Sequence, residues 1–224
     1  MVPSPRIFAA FFAFGLFALG PVAAALAERD EFEDLSDQVS ILVVGREVVA
    51  VDALSGRPIG ERLEIEEPVT ATHALGLIGV AVTPRRLLGF SARTRQWNEA
   101  RLRLNDSAPG DGHFSRKLAL YFTDQQIFVF DGIRGRWATL NLPPGEAVAD
   151  LGLGRNVAAV VTDRRAIAYS TSRGRFVTEG LFPRRARARL RVSDNAATVF
   201  DSDRLLTFGA QGSRWVASST IGFD

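Results

Sequence analysis

Five copies of one pattern run through the chain, and they constrain its fold more than any other feature. The stretches are "VVAVDALSGRP" (48–58), "LLGFSARTRQW" (87–97), "IFVFDGIRGRW" (127–137), "AIAYSTSRGRF" (166–176) and "LLTFGAQGSRW" (205–215). The residue before each turn is Val51, Phe90, Phe130, Tyr169 or Phe208, at spacings of 39, 40, 39 and 39. Seven residues on stand Pro58, Trp97, Trp137, Phe176 and Trp215. A fixed period of this length marks a repeated supersecondary unit that buries its apolar faces against its neighbours. Upstream of each copy lies a second apolar run: "ILVVG", "GVAVTP", "LALYFTD", "AAVVTD" and "ATVFDS". Gly45-Arg46, Pro84-Arg85, Asp124-Gln125, Asp163-Arg164 and Ser202-Asp203 separate the paired runs with turn chemistry.

The two central runs are apolar without alternation, which requires cover on both faces. A weaker strand precedes them ("AVADLGLG", 147–154; "RARLRVS", 187–193) and a more polar one follows ("RFVTEGL", 175–181; "RWVASST", 214–220). Four short antiparallel strands per repeat predict an all-β, five-bladed β-propeller, with blades near 28–66, 67–105, 106–145, 146–184 and 185–224. The copy alignment places "FEDLSDQ" (32–38) as the first strand of the first blade. No N-terminal segment then remains to complete the fifth blade, so the ring needs another clasp. Charge suggests one: Glu31, Glu33 and Asp34 would face Arg184, Arg185, Arg187 and Arg189 across the junction of first and fifth blades. The same arginines could instead contact an anion.

Residues 1–27 read as a signal peptide. One positive charge, a thirteen-residue apolar run and "PVAAALA" follow one another there. No later segment is long and apolar enough to span a bilayer. The expectation is a periplasmic or secreted monomer. There is no cysteine, which excludes a disulfide framework and thiol chemistry. Without Arg6 of the leader, basic and acidic residues nearly balance, so net charge points to no partner and nucleic acid is not expected.

"VVAVDALSGRP" resembles the repeat of pyrroloquinoline-quinone propellers, in which apolar alternation leads to Asp and, after a short turn, Gly. Asp52/Gly56, Asp131/Gly135 and Ser170/Gly174 keep that step. The resemblance implies the blade design and an envelope setting. The family includes quinone-dependent dehydrogenases and non-enzymatic scaffolds of outer-membrane protein assembly.

The motifs of catalysis are missing from the sequence: no G-x-S-x-G, no H-E-x-x-H, no phosphate loop ending in Gly-Lys. No acidic cluster suits a quinone with its metal, so no catalytic residue, cofactor or metal ligand is assigned. His73 and His113 stand one repeat apart and fall near the innermost strands of adjacent blades. The loop "LNDSAPGDGHFS" (104–115) carries the one-residue insertion. Loops on a rigid scaffold commonly hold binding residues. His73, Asp106, Asp111 and His113 are therefore the ligand-binding candidates. The recurring Trp97, Trp137 and Trp215 read as wedges between blades. Arg46, Arg85, Arg86, Arg164, Arg165 and Arg204 in the turns read as solvated residues. The function expected is a non-catalytic protein-binding or scaffold module of the envelope, with a protein or glycan partner. The alternatives are a lectin-like module using the aromatics as sugar platforms and a degenerate quinone- or metal-dependent enzyme.

Overall fold

Two apolar runs joined by a tight turn make a hairpin, and in this computed structural model every copy of the pattern does so. Residues 38–181, 188–201 and 204–219 are described, and among them nineteen strands form five antiparallel sheets. The first sheet holds β1 (Val39–Val44), β2 (Glu47–Asp52) and β3 (Pro58–Arg62). The second holds β4 (Ala71–Leu75), β5 (Ile78–Val82), β6 (Arg86–Ser91) and β7 (Gln96–Arg101). In the third are β8 (His113–Phe114), β9 (Leu118–Phe122), β10 (Gln126–Asp131) and β11 (Arg136–Asn141). The fourth comprises β12 (Val148–Leu153), β13 (Val157–Thr162), β14 (Arg165–Ser170) and β15 (Arg175–Gly180). The fifth comprises β16 (Arg189–Val192), β17 (Ala196–Asp201), β18 (Arg204–Gly209) and β19 (Val216–Ser219). Strands pair in chain order within every sheet.

Burial follows the apolar runs. Every residue of β5 and β6 is buried, as is every residue of β10 and β13. Adjacent sheets approach closely enough that a Cβ on Gly89 would lie 2.5 Å from the Phe130 ring, so only glycine fits there. The tryptophans lie between sheets. The Trp97 ring is 5.3 Å from Phe90, and its Nε1–H donates to the Ile59 carbonyl at 2.8 Å. Trp137 does the same with Phe130 and the Asn98 carbonyl, and Trp215 with Phe208 and the Val177 carbonyl. Each indole thus binds the last strand of the preceding sheet.

A second series of links uses the residue that ends the middle strand. Asp131 Oδ1 accepts from the Ile133 and Arg134 amides of its own turn, which Gly135 closes at φ 63°. Its Oδ2 accepts from the Tyr169 hydroxyl of the fourth sheet at 2.9 Å. At the equivalent position Asp52 pairs with Arg95 Nε at 3.2 Å. Ser91 Oγ donates to the Gly132 carbonyl at 2.6 Å, and Ser170 Oγ to the Ala210 carbonyl. In the fifth sheet the position is Gly209, which has no side chain to reach onward.

Three strands of the first sheet are described, and residues 32–37 of the expected further strand lie outside the described residues. One expectation is corrected: the sheets do not form a closed five-bladed ring. Substantial packing joins each sheet to the next, and none comparable joins the first to the fifth among the described residues. The two faces that closure would have covered remain open: Leu42 and Val44 are 52% and 61% exposed, and Phe200 and Val216 42% and 57%. The proposed clasp cannot be placed, since Glu31, Glu33, Asp34, Arg184, Arg185 and Arg187 lie outside the described residues; Arg189 is exposed on β16. Residues 1–27, read as a leader, also lie outside them.

Candidate functional site

An acid, a threonine and an arginine recur around the hairpin that joins the middle strands of a sheet. In the second sheet they are Glu67, Thr83 and Arg86, all buried. Arg86 Nε and Nη2 donate to the two carboxylate oxygens of Glu67 at 2.8 and 2.9 Å, a bidentate pair. Thr83 Oγ1 donates to Glu67 Oε1 at 2.8 Å, and the Glu64 amide to Oε2 at 2.7 Å. Arg86 also reaches Glu99 and the Arg62 carbonyl, which ties the second sheet to the first. These contacts satisfy the carboxylate fully. The Arg86 hydrogen bonds, aided by those from Glu64 and Thr83, hold the Glu67 carboxyl down at about 2 against the cost of burial, and Glu67 raises Arg86 in return.

The fourth sheet repeats the arrangement with two contacts missing, the backbone amide and the arginine Nη2 that meet the second carboxylate oxygen. Thr162 Oγ1 and Arg165 Nε donate to Glu146 Oε1 at 2.6 and 2.8 Å, and Arg165 Nη2 reaches the Asn141 carbonyl at 3.1 Å. The residue three before Glu146 is Pro143, which has no N–H to give. Glu146 Oε2 is buried without a hydrogen-bond partner.

In the third sheet the arginine itself is replaced. Asp106 takes the acid position, Thr123 the threonine position and Gln126 the arginine position, each one repeat from its counterpart in the second sheet. The Arg103 amide donates to Asp106 Oδ2 at 3.0 Å, just as Glu64 does to Glu67. The Gln126 amide donates to Thr123 Oγ1 at 3.0 Å, and its Nε2 to Asn141 Oδ1 at 3.0 Å. No guanidinium completes the set. Asp106 Oδ1 and Gln126 Oε1 are both buried without a partner.

A cleft of about 850 Å³ opens beside this incomplete set, between the third and fourth sheets. Thr123, Asp124 and Glu146 supply oxygens to it, and Phe122, Leu142 and Val148 give it an apolar wall. Ser107 caps Asp124 through both its amide and its hydroxyl, at 3.0 and 3.1 Å, and the amide contact lowers the Asp124 carboxyl. Arg103 stands at the margin with its Nη2 on Asn141 Oδ1 at 2.8 Å. A shape of this size, apolar with a few converging polar groups, suits a ligand.

No family model matches the chain, and no curated protein does. Among solved structures, the computationally designed Ika8 protein is similar over 78% of this chain and 59% of its own, at 17% identity and TM-score 0.37. Hsv2 of Kluyveromyces lactis aligns over 81% and 60%, at 9% identity and TM-score 0.37. The N-terminal domain of Nup159 aligns over 83% and 59%, at 10% identity and TM-score 0.35. The chain thus spans about three fifths of these proteins.

The predicted site residues fall in different places. Asp106 belongs to the incomplete set, and its loop borders the cleft. Asp111 is exposed beyond that loop. His73 on β4 and His113 on β8 are both exposed, and the His73 ring lies 4.8 Å from Phe114. Among the described residues, no three His, Asp or Glu side chains are grouped to hold a metal. Glu67, Glu146 and Gln126 were not singled out from the sequence, although the acids stand two repeats apart with Asp106 between them. Arg86, read as a solvated turn residue, is 6% exposed and carries the strongest contacts of the set.

Proposed function

We propose that this chain is a non-catalytic binding module of the cell envelope, and that a protein partner enters the cleft between the third and fourth sheets. The observation that carries the reading is the concentration of unanswered acceptors there. Buried polar groups ordinarily find partners, yet Oε2 of Glu146, which lines the cleft, lacks one, as do Asp106 Oδ1 and Gln126 Oε1, whose chain neighbours Ser107 and Gln125 line it. Gln126 stands on β10, and Asp106 and Glu146 on the connections that enter the third and fourth sheets. Placement in the envelope rests on the leader-like residues 1–27.

The test is site-specific photo-crosslinking in envelope extract of the source organism. Benzoylphenylalanine at Ala108, exposed beside the cleft, should yield an adduct of defined mass, and the same group at Ser218 on β19 should not. Equal labelling from both positions, or none from either, overturns the reading.

A further inference from the structure

We propose that the third sheet takes its missing cation from outside: the cleft binds a guanidinium or ammonium group carried on an apolar stem, as in an arginine or lysine side chain. The proposal deepens the reading of the cleft as a binding site and rests on it. Repetition supplies the first argument. Wherever the arginine is present, its guanidinium meets an oxygen of the same set: Glu67 for Arg86, Glu146 for Arg165, and Asp201, in the threonine position, for Arg204. The first sheet has Glu47 at that place and Val44 in place of the threonine, so among sheets that keep the threonine Gln126 is where the cation gives way to a neutral amide. The backbone around it is unchanged, since Thr123 accepts the Gln126 amide at the same 3.0 Å as Thr83 accepts that of Arg86.

The unpartnered atoms supply the second argument. Gln126 is 7% exposed and Glu146 4%, so each keeps an acceptor oxygen from water as well as from the protein. Asp106 Oδ1 adds a third. All three are acceptors, and what would satisfy them is a donor-rich group; a guanidinium brings five N–H donors in a planar fork. Two of the three belong to carboxylates, which favours a charged donor over a neutral one.

The cleft gives the route. Thr123 and Glu146 line it, so it reaches the neighbours of both open positions. Phe122, Leu142 and Val148 would cover the methylenes of an arginine or lysine, as apolar surface does for long basic side chains. The built-in cations there are already engaged, Arg103 by Asn141 Oδ1 and Arg165 by Glu146 Oε1, which leaves Glu146 Oε2 unanswered.

Filling the position from within tests the idea. Gln126→Arg should raise the melting temperature, because the new guanidinium meets Asp106. The same change should weaken binding of Nα-acetyl-arginine amide, followed by calorimetry, about tenfold or more, the loss of one charge-assisted contact. In the wild type that amide should bind tighter than guanidinium chloride, and Nα-acetyl-norleucine amide should not bind. A basic tripeptide binding no better than free arginine amide identifies a small organic cation as the ligand; a gain of about tenfold or more identifies a peptide-borne side chain. Arg86→Gln supplies a control in the second sheet, where added guanidinium should restore part of the lost melting temperature. Unchanged stability and unchanged binding in Gln126→Arg would refute the proposal, as would Nα-acetyl-norleucine amide binding as tightly as the arginine amide. Crosslinks from position 108 without any cation binding would discard the ligand class and leave the cleft as a binding site.

Discussion

The second and third sheets share a backbone pattern and differ in one buried ion pair. In the second, Arg86 and Glu67 meet in bidentate geometry with every carboxylate oxygen satisfied. In the third, Gln126 and Asp106 each keep a buried oxygen without a partner. The hairpin forms in both, with Thr123 and Thr83 accepting the same pair of backbone amides. The ion pair is therefore not what makes the hairpin. It joins one sheet to the previous one, through the Arg62 carbonyl for Arg86 and the Asn141 carbonyl for Arg165.

The largest expected difference comes from removing the cation. Arg86→Met leaves Glu67 buried and unpaired, which should cost ~3–5 kcal/mol in urea unfolding. Gln126→Met removes an orphan oxygen along with one hydrogen bond, and should change stability by less than ~1 kcal/mol. Equal losses at the two positions would mean that Gln126 is already satisfied.

Acid titration separates the carboxylates by sign. The folded Glu67 carboxyl lies at about 2 and its ordinary value is 4.5. Its contribution is present above 4.5 and is lost as pH falls from there toward 2, on the order of 3 kcal/mol in all. Glu67→Gln should flatten that arm of melting temperature against pH. Asp131 acts oppositely: burial raises its folded carboxyl above 3.8, so its term weakens stability as pH rises through the window just above that value. Asp131→Asn should remove this rise-dependent loss, and a steeper one would contradict the assignment.

Smaller effects follow. Thr83→Val removes a hydroxyl that donates to a buried carboxylate and should cost ~1–3 kcal/mol, with Thr123→Val about 1 kcal/mol less. At the surface, Arg85 and Glu64 pair at 3.1 Å with both side chains about half exposed. Arg85→Ala should cost under ~1 kcal/mol, and less at high salt. A loss as large as that of Arg86→Met would place the second-sheet energy in the wrong arginine.

Much of this was legible as periodicity. The spacing of Phe90, Phe130, Tyr169 and Phe208 marks the repeats, and the unbroken apolar runs give the doubly buried strands. The tryptophans sit between sheets, as a repeat-wide aromatic should. The closure of a ring was not legible. Period gives what each unit is, whereas closure depends on contacts between the first and last units, which a repeat does not encode. The site was half visible. Asp106 stood out because its loop is polar and carries the insertion. Gln126 did not, because an amide in a turn is ordinary until its counterparts prove to be buried arginines. Arg85 and Arg86 are sequence neighbours with the same chemistry, but Arg85 stands in the exposed turn and Arg86 opens the buried strand β6.

The direct test of a missing cation in the third sheet is a double-mutant cycle on Gln126→Arg and Asp106→Asn, read by urea unfolding. Gln126→Arg alone should stabilise the chain, and in the Asp106→Asn background most of that gain should vanish, a coupling of about 1–3 kcal/mol. A new arginine that adds nothing, or adds the same whether residue 106 is Asp or Asn, would contradict it.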